Sequence, residues 1–568
     1  MAADALRYLT AFARGGLAPF LRQSLGDATL ADVAARWARK RPEALALEVG
    51  DEAFNYRELD QLSQTAAAHL SSLGVKSGDV VAVVGGNSVA YVALLLGAAR
   101  RGVTLALVHP ELAGEPLALA FAVAGATRVL CEHALRDAVV SATTLPVGAF
   151  DPFVRTPFSA AGASGFAPDR ATRELALVYT SGTTGLPKAC RLPHSRVLAA
   201  ACLFGAPLYD FRAGDKLLCV LPLHHGSPLM LGLGACLVTG TPLRLERRFS
   251  ATELTAVAER SGATALLYVG DLGRMLLATP PSERDRRHRL RLAVGNGMAP
   301  DVWSAFQQRF GIAQVREFYA ATESPVGLLN LSGRIGAVGN LPYAWMFGLK
   351  LVRFDSATGE LLRDAGGELI ECSDDEPGEL LVRARERGIG VYHGYVNPTD
   401  TEARLVRSGA GVLFRTGDVL RRDRDGFYYF VERRGDSYRF RGENVSVQLV
   451  ERELSALAGV SAAVVTGMNV PGYDGQVGLA VLVGSADFQP SGVAALSTRL
   501  PRSALPRFLR LTNELPRTAS LKLKRRELAA RGVDPACITD ALWVWKEGDY
   551  VRLTSEIYRD ILSGRHRL

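Results

Sequence analysis

Between residues 80 and 108 the chain switches between two periods. Val80–Val84 is a short β-branched run closed by Gly85-Gly86. Asn87 or Ser88 is placed to cap a helix, and Gly102 to stop it. Val103–Val108 is a second apolar run. Strand, helix and strand of these lengths make a βαβ unit, whose two strands lie parallel. The pattern recurs around Leu175–Tyr179, Lys216–Leu221, Ala265–Val269 and Leu290–Val294. Upstream, Leu30, Val33, Ala34 and Trp37 keep helical spacing on one face, and a second helix is expected near Arg57–Leu73. The fold class is therefore α/β: a large, multi-lobed N-terminal domain with mostly parallel sheets. At 568 residues the chain is too long for one core. From about Gly378 it turns to short strands, typified by Gly426-Phe427-Tyr428-Tyr429-Phe430. A boundary is expected near Arg433–Asp436. The remainder of the chain reads as a small α+β unit, with a helix near Val447–Leu457, strands near Ala462–Gly467 and Gly478–Val483, and a basic C-terminal region. The expected domains are residues 1–432 and 433–568.

An apolar share of 48% is ordinary for a globular protein and excludes wholesale disorder. The net charge of +8 is modest for this length, so no nucleic-acid partner is expected. Basic residues cluster at Arg284–Arg291, read as a solvated face, and at Lys522–Arg526. The cysteines, Cys131, Cys190, Cys202, Cys219, Cys236, Cys372 and Cys537, are odd in number and include no C-x-x-C. They read as free thiols in a reducing compartment, hence a cytoplasmic location. No apolar run reaches the ~18 residues of a membrane helix, and Arg100-Arg101 interrupts the best candidate. No signal-peptide pattern is present. Ala5–Leu21, apolar with Arg7 and Arg14, suits a helix lying on a membrane surface or one packed on the first lobe.

The stretch Tyr179–Cys190, YTSGTTGLPKAC, is too rich in small and hydroxyl residues to build a core. Glycines allow a backbone to wrap phosphate oxygens closely. Thr180, Ser181, Gly182, Thr183 and Thr184 add donors, and Lys188 adds a point charge. The ligand expected is a polyphosphate, most simply ATP. The spacing is not that of a Walker A loop, because Gly182 and Gly185 are three apart and Lys188 follows Pro187. The string resembles the phosphate loop of the adenylate-forming enzymes: acyl-CoA synthetases, luciferases and peptide-synthetase adenylation domains.

Further strings carry the same resemblance. Phe318-Tyr319-Ala320-Ala321-Thr322-Glu323 resembles the family's Tyr-Gly-x-Thr-Glu motif. It implies Tyr319 against adenine, Thr322 on a phosphate and Glu323 as a hard oxygen ligand for Mg2+. Arg415-Thr416-Gly417-Asp418 resembles the motif whose aspartate accepts both ribose hydroxyls, and Arg433 matches the next arginine of the ATP site. Gly435 falls at the family's hinge, which implies a mobile small domain. Leu515–Lys524, LPRTASLKLK, resembles the terminal motif with the catalytic lysine. By position that is Lys522, with Lys524 two residues on along the same face of a strand. Its charge would meet the negative charge that adenylation gathers on the α-phosphate and the attacking carboxylate. His225, in Leu221-Pro222-Leu223-His224-His225-Gly226, matches the acyl-site histidine.

The resemblance runs from about residue 28 to the end and narrows to one branch, the fatty acid transport proteins or very-long-chain acyl-CoA synthetases. Gly295–Trp303 carries Asn296 to the acyl or CoA site and Gly297 to the ATP site. Ser332–Gly339, Gly435–Val445 and Tyr558–Gly564 match the same branch. Two departures stand out: Ser324-Pro325 replaces Gly-Asn, and His109-Pro110 stands where Asn-Thr is expected. The resemblance implies ATP, Mg2+ and coenzyme A as cofactors and cosubstrates, and a long-chain carboxylic acid as substrate. Three rivals remain: transfer to a carrier-protein thiol, a bile, sterol or aryl acid as substrate, and a non-catalytic lipid uptake protein.

Overall fold

The computed structural model describes residues 2–16, 28–150, 174–181, 187–341, 347–355, 358–387, 390–409, 411–434, 438–440, 443–445, 447–470, 476–485, 488–517, 523–563, 565 and 568. They divide into two compact units. The first holds Met1–Leu349, Leu381–Thr416 and Asp423–Tyr429; the second holds Lys350–Leu380, Gly417–Arg422 and Phe430–Leu568.

In the first unit, α1 (Ala2–Ala11) is held by Tyr8, whose hydroxyl donates to the Leu203 carbonyl at 3.1 Å. Just beyond it, Arg14 pairs with Asp210 at 3.0 Å. Helix α2 (Leu30–Lys40) starts at a capping box between Thr29 and Asp32 and buries Leu30, Val33 and Ala34, as its spacing requires. Then come the antiparallel pair β1 (Leu45–Val49) and β2 (Glu52–Asn55) and helix α3 (Tyr56–Ser72). The βαβ unit is next in the chain, as β3 (Val80–Val84), α4 (Val89–Arg101) and β4 (Thr104–Val108). Ser88 supplies the cap by accepting from the Tyr91 N–H at 3.1 Å. Gly102 ends the helix at φ 66°, a left-handed conformation that favours glycine. Strands β5 (Arg128–Cys131), β6 (Val147–Ala149), β7 (Glu174–Ser181) and β8 (Pro187–Pro193) complete a six-stranded sheet in the order β6-β5-β3-β4-β7-β8. Only β7 and β8 pair antiparallel.

A second sheet uses β9 (Leu217–Cys219), β10 (Leu243–Leu245), β11 (Ala265–Val269), β12 (Leu292–Asn296), β13 (Gln314–Tyr319) and β14 (Leu328–Asn330). With β1 and β2 its order is β14-β13-β12-β11-β9-β10-β1-β2, antiparallel only at its two ends. Helix α5 (Gly270–Leu277) comes after β11 and α6 (Pro300–Phe310) after β12. Two strands differ from expectation. The Lys216–Leu221 strand contracts to Leu217–Cys219, and at its start the Lys216 N–H goes to the Thr264 hydroxyl at 3.1 Å. The Leu290–Val294 strand starts later because the Leu290 N–H turns back to His288 Nδ1 at 3.2 Å. Nor is the Arg284–Arg291 cluster simply solvated: Arg291 pairs with Asp215, and Arg286 donates to the carbonyls of Gln308 and Arg309 at the end of α6.

Strands β15 (Gly411–Arg422) and β16 (Tyr428–Arg433) carry residues of both units. Within the second, helix α7 (Val447–Ser455) accompanies β17 (Val460–Met468), β18 (Val477–Gly484), β19 (Phe508–Thr512), β20 (Ala541–Lys546) and β21 (Asp549–Arg552). They form one sheet in sequence order, parallel only between β18 and β19. Val450, Leu454, Val464, Leu479, Val481 and Phe508 are among the fully buried residues of its core. All seven cysteines are free.

Helices α3 and α4 touch where Gly97 has no side chain. A β-carbon there would stand 2.7 Å from Ala66 Cβ and 2.8 Å from the Ala67 backbone nitrogen. Backbone cannot yield cheaply, so Gly97→Ala is expected to destabilise the first unit by about 1–3 kcal/mol, read as a lower thermal unfolding midpoint. An unchanged midpoint would contradict this packing.

Candidate active site

Strands β7 and β8 pair Thr180 with Lys188 and Ser181 with Pro187, so the two ends of the phosphate-loop string lie side by side on antiparallel strands. Gly182, Thr183 and Thr184 lie outside the described residues. Lys188 is half-buried, and its Nζ pairs with Asp400 Oδ1 at 2.7 Å while standing 5.9 Å from the Tyr395 ring centroid. The Tyr395 hydroxyl donates to Glu323 Oε1 at 3.0 Å. Burial, and then the Glu323 charge, push the Tyr395 phenol far up, so it stays protonated and donating. Lys188, Tyr395 and Glu323 thus form one chain of contacts between β8 and the Tyr319–Glu323 segment.

The strand β13 ends at Tyr319, which is buried, while Thr322 and Glu323 are half-buried in the loop beyond. Arg196 shapes that loop by donating to the carbonyls of Thr322, at 3.3 Å, and Ser324. Ser324 is buried and its hydroxyl donates to the Val326 carbonyl at 2.7 Å. The Ser324-Pro325 departure therefore packs inward and leaves Thr322 and Glu323 at the rim. On the other side, Gly226 approaches so closely that a β-carbon there would lie 2.8 Å from Thr322 Oγ1. This contact brings the His224-His225-Gly226 loop to the same place.

His225 does not stand alone. Its ring centroid is 4.4 Å from that of His224, and His109 lies 4.9 Å from His224 and 6.4 Å from His225. His109 comes just after β4, and its Nδ1 accepts the Glu111 N–H at 3.1 Å, so its neutral form carries the proton on Nε2. Burial, followed by the charges that His225 and His109 would carry, holds His224 well below the usual histidine range. Asn87 braces the loop: its amide donates to the carbonyls of Leu221 and Glu246 at 2.9 and 2.8 Å and accepts the Leu223 N–H at 2.8 Å.

Strand β12 ends at Asn296, half-buried, and the turn after it begins with Gly297 at φ 82°. The Met298 N–H donates to Glu317 Oε1 at 2.6 Å, and the Tyr268 hydroxyl donates to the same oxygen at 3.0 Å.

In the second unit, Asp418 is buried and clamped by Arg433, Nε to Oδ1 at 2.7 Å and Nη2 to Oδ2 at 3.2 Å. Gly435 and Lys522 lie outside the described residues. Lys524 is exposed on the edge of α8 (Arg525–Arg531), with Nζ 3.6 Å from Glu527. The motif reading missed Tyr395, Asp400, Arg196, Tyr268 and Glu317. Only Glu317 left a trace, as a carboxylate two residues before Tyr319 inside an otherwise strand-forming run.

A model of the AMP-binding enzyme family matches residues 34–396. Human long-chain fatty acid transport protein 1 is 35% identical over 565 residues, covering 93% of this chain and 87% of that protein. The medium/long-chain-fatty-acid–CoA ligase FadD6 of Mycobacterium tuberculosis is 32% identical over 573 residues, covering 97% and 94%. Among solved structures, ATP-bound MatB from Rhodopseudomonas palustris has a TM-score of 0.74 at 24% identity, covering 88% of this chain and 98% of that one. The o-succinylbenzoate CoA synthetase MenE of Bacillus subtilis, in complex with its acyl-adenylate OSB-AMP, has a TM-score of 0.71 at 23% identity, covering 87% and 97%. These two share the fold.

His224 provides a check on the buried cluster. Its folded-state pKa lies below the unfolded value of about 6.5. The unfolded chain therefore takes up a proton first as pH falls, and stability is lost below that value, by about 1.4 kcal/mol per pH unit. Thermal unfolding at several pH values from neutral to mildly acid should show a smaller acid loss for His224→Gln than for the wild type. Equal losses would place His224 in solvent.

Proposed function

Since the chain belongs to the AMP-binding enzyme family, we propose that it is an AMP-forming acid–thiol ligase, an ATP-dependent acyl-CoA synthetase acting on long-chain fatty acids. The observation that carries this reading is the convergence of Lys188, Thr322 and Glu323 within one unit, with Tyr395 linking them. A phosphate-seeking cation, a hydroxyl donor and a hard carboxylate in one neighbourhood suit a magnesium polyphosphate. One carboxylate is enough, because Mg2+ takes most of its ligands from phosphates and water. When bound, the ion would neutralise phosphate charge, held by Glu323.

In the first half-reaction the carboxylate of the acid attacks the α-phosphorus of ATP, its O–P bond forms, and pyrophosphate leaves. Lys188 and Thr322 would hold the phosphates, Tyr319 and Gly297 the base, and Asp418 with Arg433 the ribose. Lys522 would offset the charge that builds on the α-phosphate and the attacking oxygen. The carboxyl end of the acid would lie by Asn296 and His225. In the second half, the thiol of coenzyme A attacks the acyl carbon, AMP leaves, and a thioester forms. Residues 433–568 serve as the small domain that turns about Gly435 between the halves, removing Lys522 after its step. The names of the relatives, fatty acid transport proteins and a fatty-acid–CoA ligase, support the acid and the thiol chosen. No helix among the described residues is long and apolar enough to cross a membrane. Peripheral association would run through α1, where Leu6 and Leu9 are exposed.

The test is carboxylate-dependent pyrophosphate release that requires Mg2+. Glu323→Gln should lower kcat/KM by about 10²-fold, the scale for one electrostatic contact in a transition state. Across acids of rising chain length, kcat/KM should climb about fourfold per methylene, at about 0.8 kcal/mol each, until the pocket ends. No release over a broad panel of acids overturns the reading, and a preference for a ring-bearing acid overturns the substrate.

A further inference from the structure

Glu317 is 2% exposed, and three donors converge on it: the Tyr268 hydroxyl and the N–H groups of Met298 and Gly297. Register explains how they meet. Gly295 pairs with Tyr268 on one side and Glu317 on the other, so all three positions share one face of the sheet. A β-carbon on residue 295 would lie 2.6 Å from Tyr268 Cδ2. The absence of a side chain there lets the Tyr268 ring cross β12 and place its hydroxyl on a carboxylate two strands away. A second glycine closes the turn from behind: a β-carbon on Gly270 would lie 1.8 Å from the Gly297 carbonyl oxygen. The turn 296–298 is thus clasped between the end of β11 and the side of β13. Glu317 is also two residues before Tyr319, on the same face of the same strand.

We propose that Glu317, with Tyr268, is a positioning residue that sets the Asn296–Met298 turn against the end of β13 and thereby controls affinity for the nucleotide. This rests on the assignment of Gly297 and Tyr319 to the ATP site. An ionised carboxylate is acceptor-only and suits three donors at once; a protonated one turns a donor of its own toward them. The grip therefore belongs to the ionised form. Burial raises the Glu317 carboxyl to about 7, against the pull of the three donors. Tyr268 is the one titratable group that bonds it among the described residues, and burial keeps that phenol protonated. The other polar neighbours are committed elsewhere. Asn330, opposite Glu317 on β14, donates to the Arg334 and Ala337 carbonyls, and Arg316, adjacent on its own strand, donates to the Pro207 and Leu208 carbonyls.

The measurement is MgATP affinity by titration calorimetry at pH 8 and pH 6 on the full chain, with pyrophosphate release recorded alongside. A group titrating at about 7 loses about tenfold of its ionised fraction over that interval. Wild-type Kd should rise by up to about tenfold toward pH 6. Glu317→Gln keeps an acceptor oxygen but cannot ionise, so its Kd should change by no more than about twofold; titration of the nucleotide itself enters both proteins equally. Tyr268→Phe, which removes only a hydroxyl, should weaken binding at pH 8 by about threefold or more while the protein stays folded. Thermal unfolding gives an independent readout. A raised carboxyl pKa means that stability falls as pH rises from about 4.5 to about 7, where the unfolded chain has already released the proton. Glu317→Gln should flatten that fall. The proposal is overturned if Glu317→Gln tracks the wild-type pH profile, if both variants bind as the wild type does, or if the wild type binds no MgATP. Tight, pH-dependent binding without pyrophosphate release from any acid would instead remove the adenylation reading and leave this one standing.

Discussion

Asn87 lies just past the carboxyl end of β3, 3% exposed, and its amide makes three hydrogen bonds to Leu221, Leu223 and Glu246. Those partners lie past the carboxyl ends of β9 and β10, in the other sheet. A buried amide with a partner lost costs more than the net worth of the bond itself, so this stitch strongly prefers one arrangement. It ties the loop after β3 to the loops after β9 and β10. Neighbouring parallel strands finish on one edge of a sheet, so the loops leaving them are delivered to that edge. His109 comes from one sheet; His224, the Asn296–Met298 turn and the Tyr319–Glu323 segment come from the other. Their proximity is a consequence of topology before any side chain contributes chemistry.

Within that region the spacing between loops is set by missing side chains. Gly226 against Thr322, Gly270 against Gly297 and Gly295 under Tyr268 each bring backbone closer than a β-carbon would permit. Their conformational cost in the unfolded chain is offset by the contacts that they allow. The polar groups these approaches enclose are then satisfied locally: Glu317 by three donors, Glu323 by Tyr395, and the Thr322 and Ser324 carbonyls by Arg196.

Much of this frame was legible in the residues. Val80–Val84 is a strand with the expected limits because its β-branched run is bounded by glycines, and Gly102 stops α4 as its position suggested. The sheets are mostly parallel, as the βαβ spacing demanded. Strand ends were less legible, since Lys216 and Leu290 spend their N–H groups on side chains that no local pattern announces. Ser88 and Asn87 were equivalent as caps in sequence. Only the second sheet, more than 130 residues on, gives Asn87 its own task. The histidine cluster was half visible: His225 stood in a motif, while His109, far upstream of it in the chain, read as a departure. Glu317 was hidden for a different reason. A lone carboxylate in a strand reads as an edge position, and its partners lie on neighbouring strands.

Lys188 is already committed to Asp400 in this conformation, with side chains only 12% and 25% exposed. On the proposed assignment of Lys188 to the phosphates, an arriving nucleotide would meet an occupied cation and would have to displace an internal counter-ion. The exchange would be one anion for another, so its free energy would depend on how many negative oxygens the newcomer presents together. A triphosphate would compete more strongly than a nucleotide reduced to a single phosphate, because Asp400 is tethered beside the lysine at a fixed local concentration. The ion pair would then work as a tethered eluent, favouring entry of the triphosphate and release of the monophosphate.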